Sequence, residues 1–310
     1  MIPTEYISLL STCFEFIDVF RCLQLYVMIE IYHIYKYLTL RAYYKTNPDF
    51  GTPVYLPTIV YLWLYIFASL NHLTMCILFV NFGNGMYVSH GTGDTVFYIS
   101  GMGSPNASCF YMHQVCTYIR KKYGSETRII VYNPPEARLF VDIHQYTSID
   151  ELVEECVDRL FSIDPWLVHA NMTIIGQSYG SILATILRKR CPVVDSSVCT
   201  EIWDPIMFRR TQDFTYRCIN GILPWIPGRP VSVRSVILSI CIRHIYILSG
   251  IMRITKSLDA DVEIFRHLMG HVFYYIGEYD ECIEDVRPVP GMHILKGLFH
   301  GDVAFNPPEI

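Results

Sequence analysis

The chain has 310 residues, 52% of them hydrophobic, with a mean hydropathy of +0.28 and a formal net charge of −5. Its length exceeds a lean single domain, and its apolar excess is high for a soluble enzyme. The net acidic balance and the lack of internal repeats or low-complexity tracts exclude a repeat array, and no nucleic-acid partner is expected.

Residues 1–57 read as an amphipathic segment followed by a linker. Tyr6 to Ile34 is apolar but carries Glu15, Asp18, Arg21 and Glu30, charges that make a membrane span expensive and favour a helix lying on a bilayer. Residues 35–57, with Lys36, Arg41, Lys45, Pro48, Gly51, Pro53 and Pro57, read as a polar loop. Residues 58–80 form a run of 23 without a formal charge, in which Asn71 and His72 are the strongly polar members. That length and composition predict a single transmembrane helix, with Tyr61, Trp63, Tyr65 and Phe67 gathered toward one end. Lys36, Arg41 and Lys45 precede the run and no basic residue follows until Arg120, which places the remaining chain on the non-cytosolic face.

Beyond residue 85 the pattern is that of an α/β core over 85–204 and 272–310. Met86 to His90 and Thr95 to Ser100, joined through Gly91-Thr92-Gly93-Asp94, read as a hairpin. The second run opens into Gly101-Met102-Gly103-Ser104-Pro105, a loop with neither G-x-G-x-x-G nor a Lys-Ser/Thr pair of a phosphate cradle. Its Met102 N–H is the candidate for one oxyanion donor. Arg128 to Tyr132 reads as a buried strand. Ser148 with Glu151 makes a capping box, and Ile149, Leu152, Val153, Cys156, Val157, Leu160 and Phe161 give the ensuing helix one apolar face.

The most informative segment is Gly176-Gln177-Ser178-Tyr179-Gly180. The apolar run Met172-Thr173-Ile174-Ile175 precedes it, and Ile182, Leu183, Ile186 and Leu187 follow at helical spacing. Strand, sharp turn and helix is the geometry that lifts a serine hydroxyl above a parallel sheet, and Gly176 and Gly180 are required because a Cβ would clash there. Ser178 is the predicted nucleophile. The N–H of Tyr179, at the start of the helix, supplies the second oxyanion donor.

Further along, Asp204 follows the strand-like Glu201-Ile202-Trp203. Residues 205–271 read as a helical cap or lid. Between Pro205 and Lys256 stand eight basic residues against the single acid Asp213, within an otherwise apolar stretch, a composition suited to anionic headgroups. The β-rich run from His271 to Ile276 ends in Gly277-Glu278-Tyr279-Asp280, where Asp280 is the first choice for a histidine-orienting acid, Glu278 the second and Asp204 the third. Of the 11 histidines only His293 and His300 lie beyond Asp280, and His300, followed by Gly301, is the expected base. The 11 cysteines are scattered without C-x-x-C, and H-E-x-x-H is absent, so buried thiols are expected and no metal or cofactor is called for. Asn106 and Asn171 head formal glycosylation sequons beside these elements.

The ordered set Gly101-Met102-Gly103, the elbow, Trp203-Asp204-Pro205, Asp280 and His300-Gly301-Asp302 resembles the α/β-hydrolase superfamily, over roughly residues 85 to 310. Asp-Pro after the sixth strand and His-Gly near the end resemble membrane-associated esterase and lipase-like members. Ser100-Gly101 stands where such families usually carry a His-Gly pair. The resemblance implies a mostly parallel central sheet flanked by helices, with a cap insertion; hydropathy adds the N-terminal hydrophobic extension. It implies a Ser178-Asp280-His300 triad acting through an acyl-enzyme on a lipophilic ester, such as an acylglycerol or related lipid. A non-catalytic lipid-binding or scaffold protein on the same fold is the alternative, disfavoured by the joint presence of all three residues.

Overall fold

The computed structural model describes residues 19–45, 58–101, 108–134, 149–165, 172–190, 199–205, 225, 229–231, 272–283 and 290–309. The strands are β1 (Val80–Gly83), β2 (Met86–Val88), β3 (Thr95–Ile99), β4 (Arg128–Tyr132), β5 (Met172–Gln177), β6 (Thr200–Trp203), β7 (Val272–Gly277) and β8 (Met292–Leu295). The helices are α1 (Val19–Lys45), α2 (Thr58–Leu78), α3 (Ser108–Tyr123), α4 (Ile149–Ile163), α5 (Tyr179–Arg190) and α6 (Asp302–Phe305). The sheet has eight strands in the order β1-β2-β4-β3-β5-β6-β7-β8. Pairing is antiparallel for β1 with β2 and for β2 with β4, and parallel for all the rest. This is the strand order of the α/β-hydrolase fold.

Parallel strands need cover on both faces, and the period of two in a strand sorts alternate residues to opposite sides. Phe97, Ile99, Ile130, Tyr132, Ile174, Ile202, Tyr274 and Ile276 fall on one face and pack with Leu152, Val153, Cys156 and Leu160 of α4 and with Ile182, Leu183 and Leu187 of α5. Val96, Tyr98, Ile129, Val131, Ile175, Trp203 and Tyr275 fall on the other, under Tyr111, Met112, Val115 and Ile119 of α3 and Val303 of α6. The two layers account for the uninterrupted apolar reading of β3 and β4. Phe161 departs from the expected apolar face of α4 and is 40% exposed.

The expected hairpin between Met86–His90 and Thr95–Ser100 does not form. β4 lies between β2 and β3, and β2 instead makes its hairpin backward, with β1. A central strand buried at all five positions, as β3 is, needs a partner on each edge, and the parallel β4 and β5 supply them.

The N-terminal region also differs from expectation. Residues 35–45, read as loop, continue α1 to Lys45, and no proline or glycine interrupts the sequence from Tyr35 to Lys45. Exposed side chains follow one another around α1 from Leu23 through Gln24, Leu25, Tyr26, Val27 and Met28, so it lacks the polar face of an amphipathic helix. The predicted single span over 58–80 finds no support either: among the described residues no helix is long and apolar enough to cross a membrane. α2 ends at Leu78 and Val80 already belongs to β1. Its C-terminal half is docked on the core, with Asn71, Met75 and Phe79 buried and His72 Nδ1 2.8 Å from the Tyr87 hydroxyl. Leu70, Leu73, Ile77 and Leu78 remain exposed on its outer side. Most of the expected cap at 205–271, Ser148 and both sequon asparagines lie outside the described residues.

Candidate active site

β5 runs straight into the elbow. Ser178 is held at φ 52, a left-handed conformation uncommon for a residue with a side chain, and α5 starts at the next residue. The two elbow glycines are there for space. A Cβ on Gly180 would lie 2.2 Å from the Ile99 carbonyl oxygen, and one on Gly176 2.7 Å from both Ala184 Cβ and the Gly180 carbonyl oxygen. The turn is anchored from both sides. Ser178 N–H donates to Trp203 O at 2.9 Å, and Ser181 N–H donates to Ser178 O at 2.9 Å. Gln177 Oε1 accepts from the Tyr98 hydroxyl at 2.6 Å and the Tyr111 hydroxyl at 3.3 Å. Ser178 remains partly exposed while its neighbours are buried.

His300 reaches the serine from the turn before α6. Its Nε2 lies 2.7 Å from Ser178 Oγ, and its Nδ1 lies 2.9 and 3.1 Å from the two oxygens of Asp280. A carboxylate only accepts, so the Nδ1 proton is fixed toward Asp280 and Nε2 is left to accept from the serine hydroxyl. Asp280 is wholly buried in the turn after β7, where Cys282 N–H donates to its Oδ1 at 2.7 Å and Arg229 Nη1 donates to its carbonyl oxygen. Glu281 accepts the His300 N–H at 3.3 Å. Burial by itself works against a charged His300 ring, but Asp280, then Asp204 and Glu281, outweigh it and raise the pKa above the usual imidazole value.

Ser178 and Asp280 thus both contact His300, and the two other acids are not part of that chain of contacts. Glu278 is exposed and takes the Gly297 N–H at 2.9 Å. Asp204 is wholly buried, accepting at Oδ1 from Gly277 N–H and at Oδ2 from Val303 N–H. Tyr179 opens α5 just after Ser178, where N–H groups point out of the helix start. Met102 lies outside the described residues. Gly101, just before it, sits against Ser178: a Cβ there would come within 2.9 Å of Ser178 Cβ.

Ligand-capable atoms of Asp280, Cys282 and His300 lie within 4.8 Å of one another. Asp280 and His300 are already bonded to each other, with the Cys282 thiol beside them. Arg229 and Glu281 were not legible as site residues from the sequence, since neither belongs to a local motif and both act on backbone atoms across the fold.

No protein-family model matches this sequence, and no curated protein matches it. Solved structures do resemble its chain path. A hydrolase from Oleispira antarctica is 14% identical, with 72% of this chain and 90% of that one covered and a TM-score of 0.48. A bromoperoxidase from Bacillus anthracis is 17% identical over 71% and 90%, with a TM-score of 0.44. A structure from work on carboxylesterases of Nitrososphaera gargenis is 16% identical over 73% and 92%, with a TM-score of 0.45.

Proposed function

We propose that this protein is a serine hydrolase that cleaves a carboxylic ester of a lipophilic substrate, an acylglycerol or related lipid, at a membrane surface. The observation that carries the reading is the continuous contact from Ser178 Oγ to His300 Nε2 and from His300 Nδ1 to Asp280. His300 takes the serine proton as Oγ attacks the acyl carbonyl, and Asp280 keeps the imidazole in the right tautomer and stabilises its charged form. The N–H groups of Met102 and Tyr179 receive the oxyanion, each worth about 3 kcal/mol in the barrier. His300 then protonates the departing alcohol, and water, activated by the same ring, releases the acid.

The lipophilic substrate and the membrane are supported by the outer surface. Leu23, Met28, Ile31, Leu38, Leu73 and Ile77 are more than half exposed on α1 and α2, an apolar surface of the kind that marks a membrane or protein interaction site. These helices sit in the bilayer interface without crossing it. The basic cap at 205–271 adds attraction to anionic headgroups.

Labelling by a fluorophosphonate probe tests the chemistry. Folded wild-type protein should label and Ser178→Ala should not; a folded wild type that ignores the probe and hydrolyses no ester would favour the lipid-binding or scaffold alternative. Membrane-bound protein should resist extraction by 1 M salt and come off in detergent. Release by salt alone would refute embedding through α1 and α2.

A further inference from the structure

The carboxylate of Asp204 lies at the junction of the three segments that carry the triad. It directly follows Trp203, whose carbonyl holds the Ser178 N–H. Oδ1 accepts the Gly277 N–H at 3.3 Å, and Gly277 O in turn accepts the Asp280 N–H at 3.1 Å. Oδ2 accepts the Val303 N–H at 3.1 Å, three residues beyond His300. The backbone bends to deliver this side chain: Asp204 has φ 43, and its own N–H donates to Tyr275 O at 2.9 Å. Among the described residues, only Asn84, Ser178 and Asp204 have side chains and a positive φ. Asn84 lies in the β1–β2 turn, so the other two stand at the ends of adjacent strands.

We propose that Asp204 is a positioning residue of the triad: it ties the acid-bearing turn and the base-bearing turn to the strand beside the nucleophile, and its charge supports the His300 imidazolium. This rests on the reading of Ser178, His300 and Asp280 given above. Two converging N–H donors require a group that accepts at both atoms, which a carboxylate does and an asparagine amide cannot. The site is also an expensive place for a charge. Burial, then the adjacent Asp280, raises the Asp204 pKa above the ordinary carboxyl range, opposed by His300 and by the Val303 and Gly277 N–H groups. A carboxylate kept there against that opposition stabilises positive charge on His300 as the serine proton arrives. Among the described residues, the titratable groups it interacts with are Asp280 and His300, with Tyr98 from β3; Glu281 acts on the same His300 ring.

The test compares Asp204→Asn, which removes the charge and one acceptor, with Asp204→Glu, which keeps the charge and displaces it. Fluorophosphonate labelling rate and kcat/KM on a short-chain p-nitrophenyl ester are followed from pH 5 to 10, beside thermal melts. Asp204→Asn should lose roughly 10- to 100-fold, as expected for misplacement of catalytic groups. Its acid limb should move to lower pH by about half a unit or more, because the lost negative charge lowers the His300 pKa. Asp204→Glu should lose rate while its limb stays within about 0.2 unit of the wild type, its charge being kept. A folded Asp204→Asn with rates within threefold of wild type overturns the proposal. So does a slower Asp204→Asn with an unmoved limb, which would make Asp204 a purely structural tie. If neither variant folds, Asp204 is a folding determinant and the positioning role is likewise overturned. Ser178→Ala runs alongside: full activity there would instead remove the underlying assignment of the nucleophile.

Discussion

Adding one methyl group at Gly101 should disable the serine without unfolding the protein. A Cβ at this position would stand 2.9 Å from Ser178 Cβ, 3.3 Å from Gln177 O and 3.4 Å from Ser178 Oγ. Carbon pairs prefer about 3.5–4.0 Å, so roughly 0.6–1 Å has to be found. The serine backbone cannot retreat easily, since Trp203 O holds its N–H and two tyrosine hydroxyls hold Gln177 beside it. The hydroxyl or the Gly101 loop must yield, and the 2.7 Å contact from Ser178 to His300 opens. A displacement of about 1 Å costs on the order of 100-fold, which corresponds to about 2.7 kcal/mol in the barrier. Gly101 is not among the positive-φ glycines, so alanine suits its backbone. Gly101→Ala should therefore melt within a few degrees of wild type. Its initial rate on a short-chain p-nitrophenyl ester and its fluorophosphonate labelling rate should both fall about 100-fold, as estimated above for that displacement. A soluble Gly101→Ala working within threefold of wild type would show that the loop does not fix the nucleophile.

Other substitutions separate the acids and probe the frame. Asp280→Asn should lose on the order of 10⁴-fold in kcat by favouring the wrong imidazole tautomer, whereas Glu278→Gln should stay within threefold; the reverse order in folded protein would reassign the acid. Because the base must be neutral and the His300 pKa is raised, kcat/KM should climb with pH along a limb lying above the usual imidazole value of about 6.5. Glu281→Gln should move that limb to lower pH, and an initial limb below pH 6 would contradict the electrostatics. Glu201 is wholly buried on β6, accepting from Tyr118 at 2.7 Å, Lys122 at 2.9 Å and Trp203 Nε1 at 2.9 Å. Lys122→Ala leaves that carboxylate without its cation and should lower stability by roughly 3 kcal/mol, read by urea denaturation. A loss under about 1 kcal/mol would mean that Glu201 protonates or rehydrates readily.

What could be read in the sequence was local, and what could not was set by distant pairing. The elbow was legible because five residues and their flanks encode a strand, a strained turn and a helix, and β5, Ser178 and α5 take those forms. His300 stood out by chain order and a following glycine, and the fold brings it to Ser178 with Asp280 behind it. The β2–β3 hairpin was misread because alternation reveals a strand and not its neighbour; β4, supplied some 30 residues later, takes the place between them. The span at 58–80 is left without support for a related reason. Hydropathy cannot tell lipid from protein as the apolar surroundings, and Met75 and Phe79 are buried against the domain. Asp204 ranked third among the acids because a carboxylate after a strand looks the same whether it faces an imidazole or two backbone N–H groups.

The distance along the chain between Ser178 and His300 also sets a schedule. They are 122 residues apart, and contacts of such separation are slow to form because the loop must close before anything rewards it. During synthesis Ser178 leaves the ribosome long before His300, and the contact between them waits for β7, β8 and the His300 turn. The apolar helices α1 and α2 emerge earlier still. On a nascent chain the apolar helices α1 and α2 have therefore emerged well before the contact between Ser178 and His300 can form.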